Sequence, residues 1–209
     1  MKIKTNEVVV YVCCPDDTVF PMRDPLDRGV GRAVVWTEGP DILDAKPWQI
    51  SVRAEVSLNK KWGNDGDWRP ASTFDLSNTI VEKALFELIF LEQEFQIARG
   101  LPVQEEFLFP YDDGREKRFL LAKWNRSTGE QSIVLFRQEG RERVQLGADV
   151  FARHRAIEAC VNRMATARVR LERTIRVPHL SAHTIRTIVR DRCAKLSPMA
   201  RLQRAFTGV

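Results

Sequence analysis

The chain is poor in cysteine, and no arrangement of its four could staple it. Cys13 and Cys14 are neighbours on opposite faces of any strand, while Cys160 and Cys193 fall in helical patterns. A disulfide scaffold is excluded. Histidine is scarcer still, at three residues, and no Cys-x-x-Cys pair accompanies it. His179 and His183 share a helix face only if the helix begins before both, whereas Pro178 and Ser181 place its start between them. No metal and no cofactor is expected. No apolar run reaches the roughly eighteen residues of a membrane span, and no small-residue cleavage site follows the start. The expectation is a soluble protein of the cytoplasm.

Catalytic signatures are also missing. There is no Gly-x-Ser-x-Gly, no His-Glu-x-x-His and no phosphate-binding Gly-rich loop, and Gly29-Val-Gly31 is too short a match to suggest one. The acidic pairs Asp16/Asp17, Asp24/Asp27 and Asp112/Asp113 have the chemistry to hold magnesium in a nuclease. Each lies in a turn bearing Pro or Gly, where aspartate suits the turn geometry by itself. The chain is not expected to be an enzyme.

What is abundant is hydrophobic residue, 44% of 209 positions, enough for a self-supporting core. Charge is abundant too, and it is segregated. Residues 141–209 hold fifteen Lys and Arg against five Asp and Glu, a local +10, so the overall +5 leaves residues 1–140 at −5. Fourteen of those fifteen cations are arginines, whose planar forks match phosphates and carboxylates. Such a field draws polyanions, either a nucleic acid or an acidic protein surface.

The apolar pattern alternates between two kinds of element. Residues 5–14 and 32–37 are rich in β-branched and aromatic side chains and read as strands. In 48–58, Trp48, Ile50, Val52, Ala54, Val56 and Leu58 share one face and Gln49, Ser51, Arg53, Glu55 and Ser57 the other, which is strand periodicity. A short strand is predicted at 72–76, then a helix over 78–99 capped by Ser77 and ended by Gly100 and Pro102. Four more strands follow, at 107–109, 118–124, 131–137 and 143–146, separated by Asp/Gly-bearing turns. A second helix begins near Asp149 and runs towards Pro178, although 168–177 also alternates as a strand would.

The expectation is therefore an α+β fold made of two β-β-β-β-α repeats, 1–100 and 101–178, forming antiparallel sheets with packed helices. Phe74-Asp-Leu-Ser77 and Val144-Gln-Leu-Gly147 stand at corresponding places before the two helices. Residues 179–209 form a separate basic helical segment. In it Ile185, Ile188, Val189, Cys193 and Leu196 share one face, Arg186 and Arg190 lie on another, and Met199, Leu202 and Phe206 follow Ser197-Pro198. Two such helices fit docking or dimerisation better than a DNA-reading helix pair, because the turn lacks the usual glycine.

The stretch from Arg118 to Met164, with Phe119-Leu-Leu-Ala-Lys-Trp-Asn125, Ser132-Ile-Val-Leu-Phe-Arg137 and Val144-Gln-Leu146 before a helix, resembles the PC4 type of single-stranded-DNA-binding domain. The doubled arrangement over residues 1–176 resembles the Whirly family, although the lysine-rich strand motif of plant Whirly proteins is absent. PUR repeats share a similar unit. The resemblance implies curved antiparallel sheets, association into dimers or tetramers through helices, and single strands laid across the sheet.

The residues point the same way without it. Binding single strands needs cations for phosphates and aromatic faces for bases, each stacked base contributing about 1–3 kcal/mol. Lys123-Trp124-Asn125-Arg126, Phe136-Arg137 and Arg141-Glu-Arg143, with Arg118, interleave both types on neighbouring strands and turns. Lys60, Lys61 and Trp62, with Trp68, Arg69 and Arg53, form the corresponding group in the first half, and Arg186 and Arg190 add charge beyond the sheets. Trp124 and Phe136 equally suit a role as core anchors. Trp62 and Trp68 flank a polar loop, which favours exposure or, if the loop folds over the sheet edge, burial. The expected function is binding of single-stranded DNA, or RNA, by a homo-oligomer. An interaction module of the accessory or inhibitor kind, gripping an acidic protein, is the alternative, and a divergent metal-dependent nuclease the third reading.

Overall fold

In the computed structural model, residues 6–12, 30–57, 68–112, 117–139, 142–147 and 149–175 are described. Lys60, Lys61, Trp62, Arg141, Cys13, Cys14, Cys193 and the basic segment with Arg186 and Arg190 lie outside the described residues. β-branched side chains favour the half-buried pleated surface, and the valine-rich segments form strands accordingly. β1 (Glu7–Val12), β2 (Val30–Thr37), β3 (Ile50–Ser57) and β4 (Trp68–Pro70) pair in sequence order as one antiparallel sheet. β5 (Glu106–Asp112), β6 (Lys117–Trp124), β7 (Gln131–Glu139) and β8 (Glu142–Gln145) form a second of the same kind. Each sheet is followed by one helix, α1 (Phe74–Ala98) and α2 (Val150–Ile175), so the fold is α+β with the order β-β-β-β-α given twice.

The first helix corrects the expected strand at 72–76. Thr73 Oγ1 accepts the amide of Leu76 at 3.3 Å, so α1 starts at Phe74 and the fourth strand lies earlier, at Trp68–Pro70. Ser77, the expected cap, is already inside the first turn. Phe74-Asp-Leu-Ser77 therefore opens a helix, whereas Val144 and Gln145 end β8, and the two segments do not correspond. Replacing Thr73 with alanine should lower stability by about 1 kcal/mol in urea titration, the usual cost of a lost cap. At the other end, Gly100 takes φ +67°, and Leu101 donates to the carbonyl of Gln96 at 2.9 Å, closing the helix as glycine does. Asp149 caps α2 through the amide of Ala152 at 3.0 Å, and the helix continues through Ile175, which settles 168–175 as helical.

α1 is the centre of the molecule. It buries Ile80, Val81, Ala84, Leu85, Phe86, Leu88, Ile89 and Leu91, apolar on more than one side, because it packs on both the first sheet and α2. Where it crosses β2, a Cβ on Gly31 would stand 2.9 Å from Val12 Cγ2 and 3.1 Å from Ile80 Cγ1, so glycine permits the close approach. The second sheet joins through Trp124, whose ring lies 6.2 Å from Phe86 and 5.3 Å from Phe90. Gln93, fully buried on α1, donates to the carbonyls of Gln104 at 2.9 Å and Trp124 at 3.1 Å. Both sheets and both helices thus contribute to one core. No helix among the described residues is long and apolar enough to cross a membrane.

Candidate nucleic-acid interface

Each sheet has an inner face towards the helices and an outer face away from them, and strand parity decides which side chains go where. In the first sheet Val8, Val10, Val12, Ala33, Val35 and Ala54 point inward. Trp48 does not extend that row as expected, because Pro47–Gln49 is a 3-10 turn before β3, and its ring is 77% exposed with Lys46 Nζ 5.0 Å away. The outer face carries Tyr11, Arg32, Trp36, Arg53, Glu55 and Trp68, which the register sets around the buried Val9 and Val34.

Those groups satisfy one another. Arg32 lies 4.0 Å over the Trp68 ring, Tyr11 meets the same ring edge-on at 5.9 Å, and Arg53 lies 5.2 Å from Trp36. Both guanidinium groups bond the buried Glu55 carboxylate, at 2.5 and 2.6 Å. Trp68 is half-buried in this lattice rather than displayed on a loop. Arg69 is exposed on the edge strand, opposite Val56 and so on the other side.

The second sheet is different. Its inner side sends Phe107, Phe109, Leu120, Ala122, Trp124 and Leu135 into the core. Its outer side also holds an apolar strip, Leu108, Leu121 and Val134 across the middle and Phe119 against Phe136 beside them, and none of these five belongs to the core cluster. Leu108 is 46% exposed, and Phe119, Leu121 and Val134 are half-buried. The two phenylalanine rings stack 5.6 Å apart at 19°, and the guanidinium of Arg143 lies 5.2 Å over Phe136. Phe136 is consequently 3% exposed and Phe119 is the accessible ring. Lys117 and Lys123 stand exposed at opposite ends of β6 on the same face, about 20 Å apart at 3.4 Å per residue. Lys123 is paired with Glu106 at 2.5 Å.

The group expected around Lys123 is therefore divided between two faces. Lys123, Phe136 and Arg143 are on the outer side. Trp124 points into the core, Arg118 and Arg137 face each other on the inner side, and Arg137 pairs with Glu139. Arg126, in the turn after β6, bonds Glu94 and lies 4.7 Å over Phe90, bracing the turn to α1. Sequence reading passed over Phe119, Lys117 and Trp36. The signal was present in β6, where Lys117, Phe119, Leu121 and Lys123 have one parity and Trp124 the other.

Burial pushes the Cys160 thiol up to about 12, outweighing the lowering by nearby Arg163, so it stays protonated at neutral pH. Among the described residues no group of three His, Cys, Asp or Glu is placed to hold a metal ion. No family model, no curated protein and no solved structure matches this chain.

Proposed function

We propose that the protein binds single-stranded nucleic acid, DNA in preference to RNA, on the outer face of the second sheet, acting as a homo-oligomer without catalysis. The observation that carries this reading is the apolar strip with the stacked Phe119–Phe136 pair, set outside the core and flanked by Lys117, Lys123 and Arg143. A base stacked on Phe119 removes apolar surface from water, and the lysines at the two ends of the strand meet phosphates. Arg143 covers the Phe136 ring in the free protein. When a strand arrives, it moves to a phosphate and uncovers a second stacking surface.

The order of elements supports the reading by analogy, since PC4-like and Whirly-like domains use the same succession of strands and helix. Charge supports it as well, because the arginine-rich C-terminal third raises the local concentration of a polyanion. The first sheet is the weaker candidate, its two outer arginines being committed to Glu55.

Fluorescence anisotropy with a labelled twenty-residue oligothymidylate tests this. Affinity should fall roughly tenfold or more between about 50 and 200 mM salt, as counterions displaced from two to four phosphates predict. Duplex should bind more weakly. Salt-independent affinity, or equal preference for duplex, would reject the proposal, and magnesium-dependent shortening of the oligonucleotide would favour a nuclease instead.

A further inference from the structure

α2 carries a second cationic surface, remote in kind from the sheet face. Arg155, Arg163 and Arg170 recur at intervals of eight and seven residues, which places them on one stripe along about 22 Å of helix. Ala159 and Ala167 between them keep the stripe low. Facing it, Leu43, Pro47, Ile50 and Val52 make an apolar wall, and the two sides enclose an open groove of about 720 Å³. Among the described residues of the lining Glu158 is the one carboxylate, and it stands 3.4 Å from His154 Nε2. Arg155 and Arg163 are exposed.

The apolar wall is also a strand edge. β4 pairs with residues 55–57 of β3 and stops, so among the described residues no strand borders 50–53 on the side away from β2. Ala54 gives its carbonyl to the amide of Ala71 at 2.9 Å on that side. Amides and carbonyls alternate along an antiparallel strand, so Val52, two residues earlier, directs its own pair the same way, at the margin of the groove.

We infer that this groove takes an extended acidic polypeptide segment, docked as an added strand along β3 with alternate carboxylates towards Arg155 and Arg163. A strand edge is completed by another peptide backbone, and alternate side chains of that strand point to one wall. The arginine forks supply charge-assisted bonds to carboxylates there. Among the described residues of the lining there is no aromatic ring on which a base could stack, which separates the groove from the sheet face. The inference goes beyond nucleic-acid binding and does not rest on it.

The test is 15N NMR of the full chain titrated to millimolar concentration with a capped decapeptide of alternating glutamate and valine. Saturable shifts are expected at the Val52 amide and at the Nε groups of Arg155 and Arg163. Affinity should fall at least tenfold with Arg155→Glu and Arg163→Glu combined, and should be lost when the peptide is N-methylated at every second residue, a control that leaves the protein untouched. A lysine-valine peptide should not bind. Absence of saturable shifts overturns the inference, as does unchanged affinity of the N-methylated peptide. Shifts at these same groups caused by oligothymidylate, with none caused by the peptide, would assign the groove to nucleic acid and overturn it too.

Discussion

Replacing Trp124 with alanine is expected to lower stability by about 3–5 kcal/mol, the range for removing a large buried aromatic. Its ring is 7% exposed and contacts both Phe86 and Phe90 of α1, and its carbonyl accepts the buried Gln93 amide. The cavity would open at the joint between the second sheet and the central helix, where neither the sheet nor the helix can collapse independently to fill it. Urea denaturation should show a lower midpoint with an unchanged slope. Trp124→Phe, which keeps an aromatic against Phe86, should cost about 1–2 kcal/mol. A base-stacking tryptophan would behave oppositely, leaving stability intact while weakening oligonucleotide binding, so the two measurements together decide its role.

The elements were legible where one periodicity was unambiguous. β1 and β2 are runs of β-branched valines, β3 alternates with Val52, Ala54 and Val56 on one side, and the stripe from Ile80 to Ile89 can only be helical. Around Thr73 the cue failed, because Ser-Thr-Phe-Asp-Leu alternates as a strand would, and only the hydrogen bond from Leu76 to Thr73 shows that the chain has already turned into a helix. The site was less legible for a related reason. β6 is apolar on both faces, so hydrophobicity alone could not say which residues point to α1. Lys123 and Trp124 are adjacent in sequence and therefore opposite in space, and grouping them by proximity along the chain mixed a core anchor with a surface cation.

Parity also separates the outer faces of the two sheets. On the first, Glu55 is opposite Arg32 in the register and next but one to Arg53, so a single buried carboxylate holds both guanidinium groups and fixes them against Trp68 and Trp36. Desolvated charges hold only when paired, which makes Glu55 and Arg32 a structural unit, with Arg53 reaching the same carboxylate from the surface. On the second sheet the corresponding outer positions are Leu108, Leu121 and Val134, with no carboxylate among them. The lysines there sit exposed at the two ends of β6, and Lys123 pairs with Glu106 across the strand edge.

The variant combining Lys117→Glu, Phe119→Ala and Lys123→Glu should therefore lose at least a hundredfold in oligothymidylate affinity. The ring accounts for about 1–3 kcal/mol if one base stacks on it. Reversing two charges removes two phosphate contacts and repels what remains, so the salt dependence should flatten as well, by about 0.7 per lost contact. Stability should fall by no more than about 1–2 kcal/mol, because both lysines are exposed and Phe119, half-buried against Phe136, lies outside the core cluster. Anisotropy at about 50 mM salt measures the first effect, a salt series the second, and urea denaturation the third. Unchanged affinity in a folded variant would move the binding surface off the second sheet. Lost affinity with an unaltered salt slope would keep the aromatic contact but place the phosphates elsewhere, with the arginines of α2 as the next cations to replace.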